Sequence, residues 1–413
     1  MATTSTQVRR QSLLSGMLIV FLVAMIFANL GGNMYGPMMP LYLRELKASV
    51  PQVGLFFTLS QIIPLVLQIL GGWLSDSIGR LRAIAIGSVF GVFVFVPFIL
   101  ARTWQWLLLG EALGAITRSL VGPSFDAFIA EHSTEENRAK VFGITQAIFM
   151  IVGVVGPPLG GWLAGAYGFK RMLLVAAFFY ILATLIRVSM AREAAKGGAS
   201  QPRALSFAGL KANLSSMFGI VFAGGIISWI LITDGVRDTS FALSMNLLPV
   251  YLQDIGRMSM LQIGWMNSIF GLCIMLIMIP SGWLADRFSE RVVIAIGMAL
   301  IGVAMLVMVG VSSDLSWMYF VCWVLAGLGV GMMMPAYQSL ISKSIPKELL
   351  GIAFGLFSTS LGIISLPAPW IGAQLWAGVS PRFPFMVTGV MALLSIIPIL
   401  LKLRLPAKIQ ESN

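Results

Sequence analysis

Two groups of charged residues, five in all, sit inside long apolar runs of this 413-residue sequence, and they are where chemistry is possible. Glu111 and Arg118 are seven apart, which puts them on one helix face with roughly 10 Å between them along the axis. Asp234, Arg237 and Asp238 share a second face by their i, i+3, i+4 spacing. A charge at the centre of a bilayer costs at least about 2.5 kcal/mol unless it faces protein or water. Three acids against two bases leave one carboxylate without an obvious basic partner, and such a group can exchange a proton at working pH. Glu111 is the first candidate for that role, and Asp234 or Asp238 the second. The competing reading is structural: self-neutralising pairs, or, for the Asp234 to Asp238 group, a cluster at the membrane surface.

Around these charges, Asn29 and Asn33 lie four apart with Tyr35 nearby, and they line a cavity or join helices by hydrogen bonds. Arg118 and Arg237 would orient a substrate or hold a carboxylate. Gln146 is a weaker cavity candidate, as are Gln61, Asn246 and Asn267. The 25 methionines and 26 phenylalanines suit an adaptable apolar cavity, although lipid contact and core packing use the same residues. His132 is the only histidine, so a His-based metal site or catalytic triad is not available. Cys273 and Cys322 fall in predicted spans and read as buried thiols. Gly327-Leu328-Gly329-Val330-Gly331 lacks the lysine of a phosphate-binding loop. No cofactor is expected, and no loop carries the constellation of an enzyme.

The elements that must position these residues are membrane helices. Mean hydropathy is +0.91. Hydrophobic residues make up 58% and charged residues 10%, against averages of roughly 45–50% and 25% in soluble domains. A span needs about 20 apolar residues. The runs predict twelve, at about 13–43, 51–74, 83–101, 104–130, 139–166, 171–191, 220–252, 258–285, 291–311, 315–342, 349–377 and 383–402. The predicted class is an all-α membrane protein with two six-helix halves, 1–191 and 216–413, and a polar linker at 192–215. The net charge of +11 is placed by topology and does not indicate nucleic acid. Seventeen of the 27 basic residues, from Arg9 and Arg10 through Arg80 and Arg82 to Lys402, Arg404 and Lys408, fall on one side. Seven fall on the other, and Arg118, Arg187 and Arg237 lie within spans. The positive-inside rule makes the richer side cytoplasmic, with both termini on it.

The chain is also a duplication. Gly71-Gly72-Trp73-Leu74-Ser75-Asp76 returns as Ser281-Gly282-Trp283-Leu284-Ala285-Asp286. Pro40-Leu41-Tyr42-Leu43 answers Pro249-Val250-Tyr251-Leu252, and Gly143, Pro157 and Gly160 answer Gly355, Pro369 and Gly372. A run of correspondences along the chain at offsets of 209 to 212 implies two homologous halves with a site between them. Asp76 and Arg80 flank the first repeated turn and Glu131 ends the fourth span on the same side, so they could form an ionic latch, with Arg138, Asp126 and Asp286 as further members. The alternative is a solvated, topology-setting loop. Gly153, Gly156, Gly160 and Gly161 at small-xxx-small spacing, with Pro157 among them, predict a close helix approach.

The turn from Gly72 to Arg82 resembles the signature loop of the major facilitator superfamily. Gly153-Val154-Val155-Gly156-Pro157-Pro158-Leu159-Gly160-Gly161 resembles the fifth-helix signature of its drug:proton antiporter branch. Ser77, Leu81 and the surroundings of Glu111 depart from the usual pattern. The resemblance implies a monomeric secondary transporter in a bacterial-type inner membrane, in contact with lipids. It would exchange protons for a lipophilic or amphipathic small molecule by rocking two halves. Uptake of a polar or anionic metabolite and flipping of a lipid or lysolipid are the alternatives.

Overall fold

The computed structural model describes residues 16–135, 137–196, 225–345 and 362–404, with the side chains of 68–77 and 196 outside the described set. All regular structure among these residues is helical. The N-terminal part holds α1 (Gly16–Tyr35), α2 (Met39–Glu45), α3 (Val50–Ile78), α4 (Arg80–Leu100), α5 (Gln105–Glu131), α6 (Arg138–Tyr167) and α7 (Phe169–Lys196). The C-terminal part holds α8 (Gly225–Ser244), α9 (Leu248–Asp254), α10 (Met260–Phe288), α11 (Glu290–Gly310), α12 (Ser316–Ser344), α13 (Ala368–Gly378) and α14 (Phe383–Lys402).

Nine helical stretches among the described residues are long and apolar enough to cross a membrane. The helices that carry the acid–base groups Glu111/Arg118 and Asp234/Arg237/Asp238, α5 and α8, are not among the nine, because those charges lower their hydropathy. Large apolar side chains such as Phe93, Phe178, Leu185 and Ile279 point outward, as lipid contact permits. The predicted linker start at 192 falls within α7, which runs on to Lys196. Most of that linker, the predicted start of the seventh span and residues 349–361 of the eleventh lie outside the described residues.

The duplication is written into the backbone. In each half the first long helix breaks into a 3-10 turn, Gly36–Met38 or Met245–Leu247, and resumes as a short helix with proline in its first turn. Proline lacks an N–H and is tolerated there. The loops that follow turn through left-handed residues, Lys47 (φ 62°) and Arg257 (φ 51°). The next helices open with the same capping box. Ser49 N donates to Gln52 Oε1 and Ser259 N to Gln262 Oε1, both at 2.8 Å.

The halves meet along two helix pairs, α6 with α10 and α3 with α13. Ser268 Oγ donates to the Val154 carbonyl at 2.5 Å, and Trp370 N donates to Thr58 Oγ1 at 3.2 Å. Arg44 and Asp254 form an ion pair at 3.8 Å. These contacts run from mid-helix to the end that bears loops 46–49 and 255–259, so the halves converge at that end.

The repeated turn shows one asymmetry. Between α3 and α4 the chain turns at Gly79 (φ 87°), whereas between α10 and α11 it turns at Ser289 with φ 141° and ψ 153°. That region is essentially reserved for glycine and costs about 1–3 kcal/mol for other residues. The Ser289 hydroxyl is also buried without a hydrogen-bond partner. Replacing it, Ser289→Gly, is expected to stabilise the purified protein by about 1 kcal/mol, read as a higher thermal midpoint in detergent. An unchanged or lower midpoint would contradict the strain.

Candidate functional site: two charged cavities

Two cavities border charge clusters, one within the N-terminal half and one between the halves. The first, about 540 Å³, is lined by α1, α4, α5 and α7. Asn29 donates to the Met25 carbonyl and Asn33 to the Asn29 carbonyl, each at 2.8 Å, so both amides are engaged with their own helix while facing the cavity. Tyr35 presents its ring to the edges of Phe95 and Phe98. Arg118 Nη2 reaches Glu111 Oε2 at 3.2 Å, because long side chains close the gap that their Cα spacing leaves. Arg118 stays 55% exposed, and Glu111 is mostly covered.

Arg187 on α7 completes this cluster. It is 1% exposed and has no acidic partner among the described residues. Its Nη1 donates to Ser88 Oγ at 2.8 Å, its Nη2 contacts Met25 Sδ at 2.6 Å, and its Nε has no partner. The Tyr180 ring lies 6.0 Å from the guanidinium carbon. Tyr180 fits only because Gly91 lacks a side chain, since a Cβ there would collide with the ring.

The second cavity, about 500 Å³, lies between the halves. Gly36, Pro40 and Phe57 come from one side and α8, α10 and α12 from the other. Its wall is largely apolar, with Phe270 stacked on Trp323 at 4.9 Å. The charged members are Arg237 and Asp238. Arg237 Nε and Nη2 donate to Asp238 Oδ1 at 3.2 and 2.7 Å. Its Nη1 lies 2.6 Å from Asp234 Oδ1, a contact without hydrogen-bond geometry that leaves this oxygen with no donor. Asp234 is 5% exposed. The Arg237 guanidinium also sits 5.3 Å from the Tyr337 ring centre. The cluster is midway along α8 and buried, not at a helix end.

These positions correct several expectations. All three carboxylates are paired, because Arg237 contacts two of them where a one-to-one count allowed one. Glu111, the first candidate for the unpaired acid, is neutralised by Arg118. Gln146 is exposed on α6 and lines neither cavity. Asp126 and Arg138 are exposed and make no ion pair with a described residue. Gly72 and Asp76 lie on α3 in the stretch whose side chains are outside the described set.

The glycine motif on α6 makes two kinds of approach. At Gly156 and Gly160 the helix meets α1 at Asn33 and Met34, and at Gly161 it meets the α10 backbone at Met260. A Cβ at Gly156 would lie 2.5 Å from the Asn33 Cβ, whereas Gly153 has Asn33 Oδ1 at 3.9 Å and room to spare. The α10 side of the contact is equally bare, with Gly264 set against Pro157.

At the opposite end of the molecule, each half ties the start of one helix to the end of the next. Arg80 Nε lies 3.3 Å from Glu131 Oε1. In the second half Lys343 Nζ lies 2.6 Å from Glu290 Oε1, and Ser339 Oγ donates to the same oxygen at 2.9 Å. Glu290 stands where the repeat places Arg80, and Lys343 where it places Glu131, so the polarity of the pair is reversed. A search for identical residues at the repeat offset passes over this relation; a search for conserved charge pairs would find it. Asp286 is peripheral, 3.9 Å from Lys343 and 77% exposed.

Glu290 is 5% exposed, so removing its partner leaves a buried, uncompensated charge. Lys343→Ala is expected to destabilise the protein by about 3 kcal/mol, read by thermal unfolding in detergent. Glu290→Lys combined with Lys343→Glu, which copies the polarity of the other half, should recover most of that loss.

The Major Facilitator Superfamily description matches residues 21–233 and again 230–413. The "Na(+), Li(+), K(+)/H(+) antiporter" of Planococcus maritimus is 26% identical, over 91% of this chain and 93% of its own. The "Multi-drug resistance efflux pump PmrA homolog" of Lactococcus lactis subsp. lactis (strain IL1403) is also 26% identical, over 92% and 93%. Among solved structures, a "bacterial homologue of iron transporter ferroportin in inward-facing state" superposes with a TM-score of 0.76 at 14% identity, covering 93% of this chain and 98% of that one. At that identity the likeness concerns the fold alone. Matched in both of its halves, and built from helices that repeat in the same order, the chain belongs to the major facilitator superfamily of multi-pass membrane transporters.

Proposed function

We propose that the chain is a proton-coupled antiporter that exports lipophilic or amphipathic small molecules, with a cationic substrate and the proton competing at the α8 cluster. The observation that carries this reading is the sharing of one guanidinium by two carboxylates. Asp234 and Asp238 bring two negative charges and Arg237 one positive charge, so a net charge of −1 remains beside an apolar cavity. An uncompensated charge is unfavourable where water is excluded. Either a proton or an organic cation neutralises it, and the arrival of one removes the attraction for the other. Closing the halves over a neutral cluster is easier than over a charged one, which ties reorientation to carrying one or the other.

Asp234, ion-paired but with no hydrogen-bond donor to its Oδ1, is the proton acceptor in this scheme, and Asp238, more open to the cavity, meets the substrate. Glu111, matched one to one with Arg118, takes a supporting role. The activities for which the relatives are named, cation/proton exchange and drug efflux, support the same class of transport. With the basic end in the cytoplasm, convergence at the other end corresponds to an inward-open arrangement of two six-helix halves, 1–191 and 216–413, joined through 192–215. Uptake of an anionic metabolite through Arg118 and Arg237 loses its basis, because acids hold both arginines.

The test is proton flux in liposomes on addition of a lipophilic cation such as tetraphenylphosphonium. The native chain should release protons in step with cation entry. Asp234→Asn should lower that coupled flux at least about a hundredfold, in line with loss of an essential proton-transfer group, whereas Glu111→Gln should keep it within about tenfold. Full coupling in Asp234→Asn, or its loss in Glu111→Gln alone, would overturn the assignment.

A further inference from the structure

The buried guanidinium of Arg187 is unexplained by cation–proton exchange at α8. A fully buried arginine without an acid is rare, because a charge removed from water is strongly disfavoured unless paired. Here the partners, Ser88 Oγ, Met25 Sδ and the Tyr180 hydroxyl, are all neutral, and Nε has none. The charges lining the first cavity are Glu111, Arg118 and Arg187, one negative and two positive, so this cavity carries a net charge of +1. The α8 cluster carries the opposite sign. Arg118 spends one Nη on Glu111 and remains half open to the cavity.

We infer that the cavity of the N-terminal half is a binding site for an organic anion, whose carboxylate or sulfonate is held by Arg187 and whose apolar part lies against Met25, Val94, Phe95 and Val121. The volume, about 540 Å³, is that of a site for an organic ligand and far exceeds an inorganic ion. A guanidinium offers paired N–H groups to a planar oxyanion, and the contact is charge-assisted. Met25 Sδ, a weak acceptor, is the partner such an oxyanion displaces. Asn29 and Asn33, tied to their own helix through their nitrogens, turn their polar ends to the same space. This site goes beyond the exchange proposed for α8 and stands if that reading fails.

The test is isothermal titration of the purified full chain in a non-ionic detergent with decanoate, decanol, decylammonium and sulfate. Decanoate should bind at least about tenfold more tightly than decanol, the preference a hydrogen-bonded charge supplies. Arg187→Gln should reduce decanoate to the affinity of decanol, and Arg187→Lys should retain part of the difference. Because loss of a buried arginine can prevent folding, Gly32→Leu provides a second variant. Gly32 lines the cavity on α1, and a Cβ there meets nothing within 4 Å, so a side chain can be introduced at this point of the cavity wall. The variant should abolish decanoate binding and leave decylammonium binding intact. Equal affinity for decanoate and decanol in the native chain, or an undiminished preference in Gly32→Leu or in folded Arg187→Gln, would overturn the site. Displacement of decanoate by equimolar sulfate would overturn its organic character. Failure of decylammonium to move protons would count against the α8 exchange alone.

Discussion

The constraint on which the rest depends is the expense of charge in a medium without water. Each ionisable side chain inside the helices has to find a counter-charge, a neutral donor or acceptor, or a cavity. Glu111 and Arg118 satisfy one another across two helical turns. Arg237 spans two aspartates and rests beside Tyr337. Arg187 relies on a hydroxyl and a thioether. The helices around them are arranged so that these groups border the two cavities while Leu, Ile, Val and Phe cover the outside. The charge pattern therefore dictates which faces turn inward, and the apolar pattern follows from it.

Duplication supplies the scaffold on which that charge is distributed. Both halves share the broken first helix, the left-handed loop residue and the capping box, which are backbone features that any pair of compatible sequences can keep. Charge sign has been free to invert on this common frame. The loop pair runs Arg80 to Glu131 in one half and Glu290 to Lys343 in the other. The cavities likewise carry opposite net charges. Coulomb attraction depends on the product of the charges, so a swapped pair holds the same helices together. The surroundings of a cavity change sign when a single residue changes. A transporter built this way has one architecture and two electrostatically distinct compartments.

The interface between the halves is made by absence of side chains. Gly161 against Met260 and Gly264 against Pro157 let the backbones touch, and Ser268 adds a hydrogen bond to the Val154 carbonyl. Lipid offers no hydrophobic drive for helix association, so packing of small residues and interhelical hydrogen bonds carry it. Such a contact is closely fitted yet contains few strong interactions. That suits the rocking of the two halves in the exchange proposed above.

Much of this was legible in the residues themselves. Composition placed the chain in a membrane, the offset of about 210 residues revealed the two halves, and the Gly-Pro-Gly-Gly run announced a close helix approach, because these are local properties measured against a bilayer or against the chain's own repeat. The partners of the charges were not legible. A count of acids and bases treats each arginine as one partner, but a guanidinium has several donors and reaches two aspartates on successive turns. Arg187 reads from the sequence only as a charge within a span, since only the meeting of α7 with α1 and α4 shows that it has no acidic partner among the described residues. Glu290 and Lys343 stand at the far ends of two successive helices, and only the packing of α11 on α12 brings them together. Sequence by itself determined where charge must be hidden and how often the pattern repeats. Tertiary structure alone decided which charges neutralise one another and which remain to attract a ligand, because that depends on side-chain reach between helices distant in the chain.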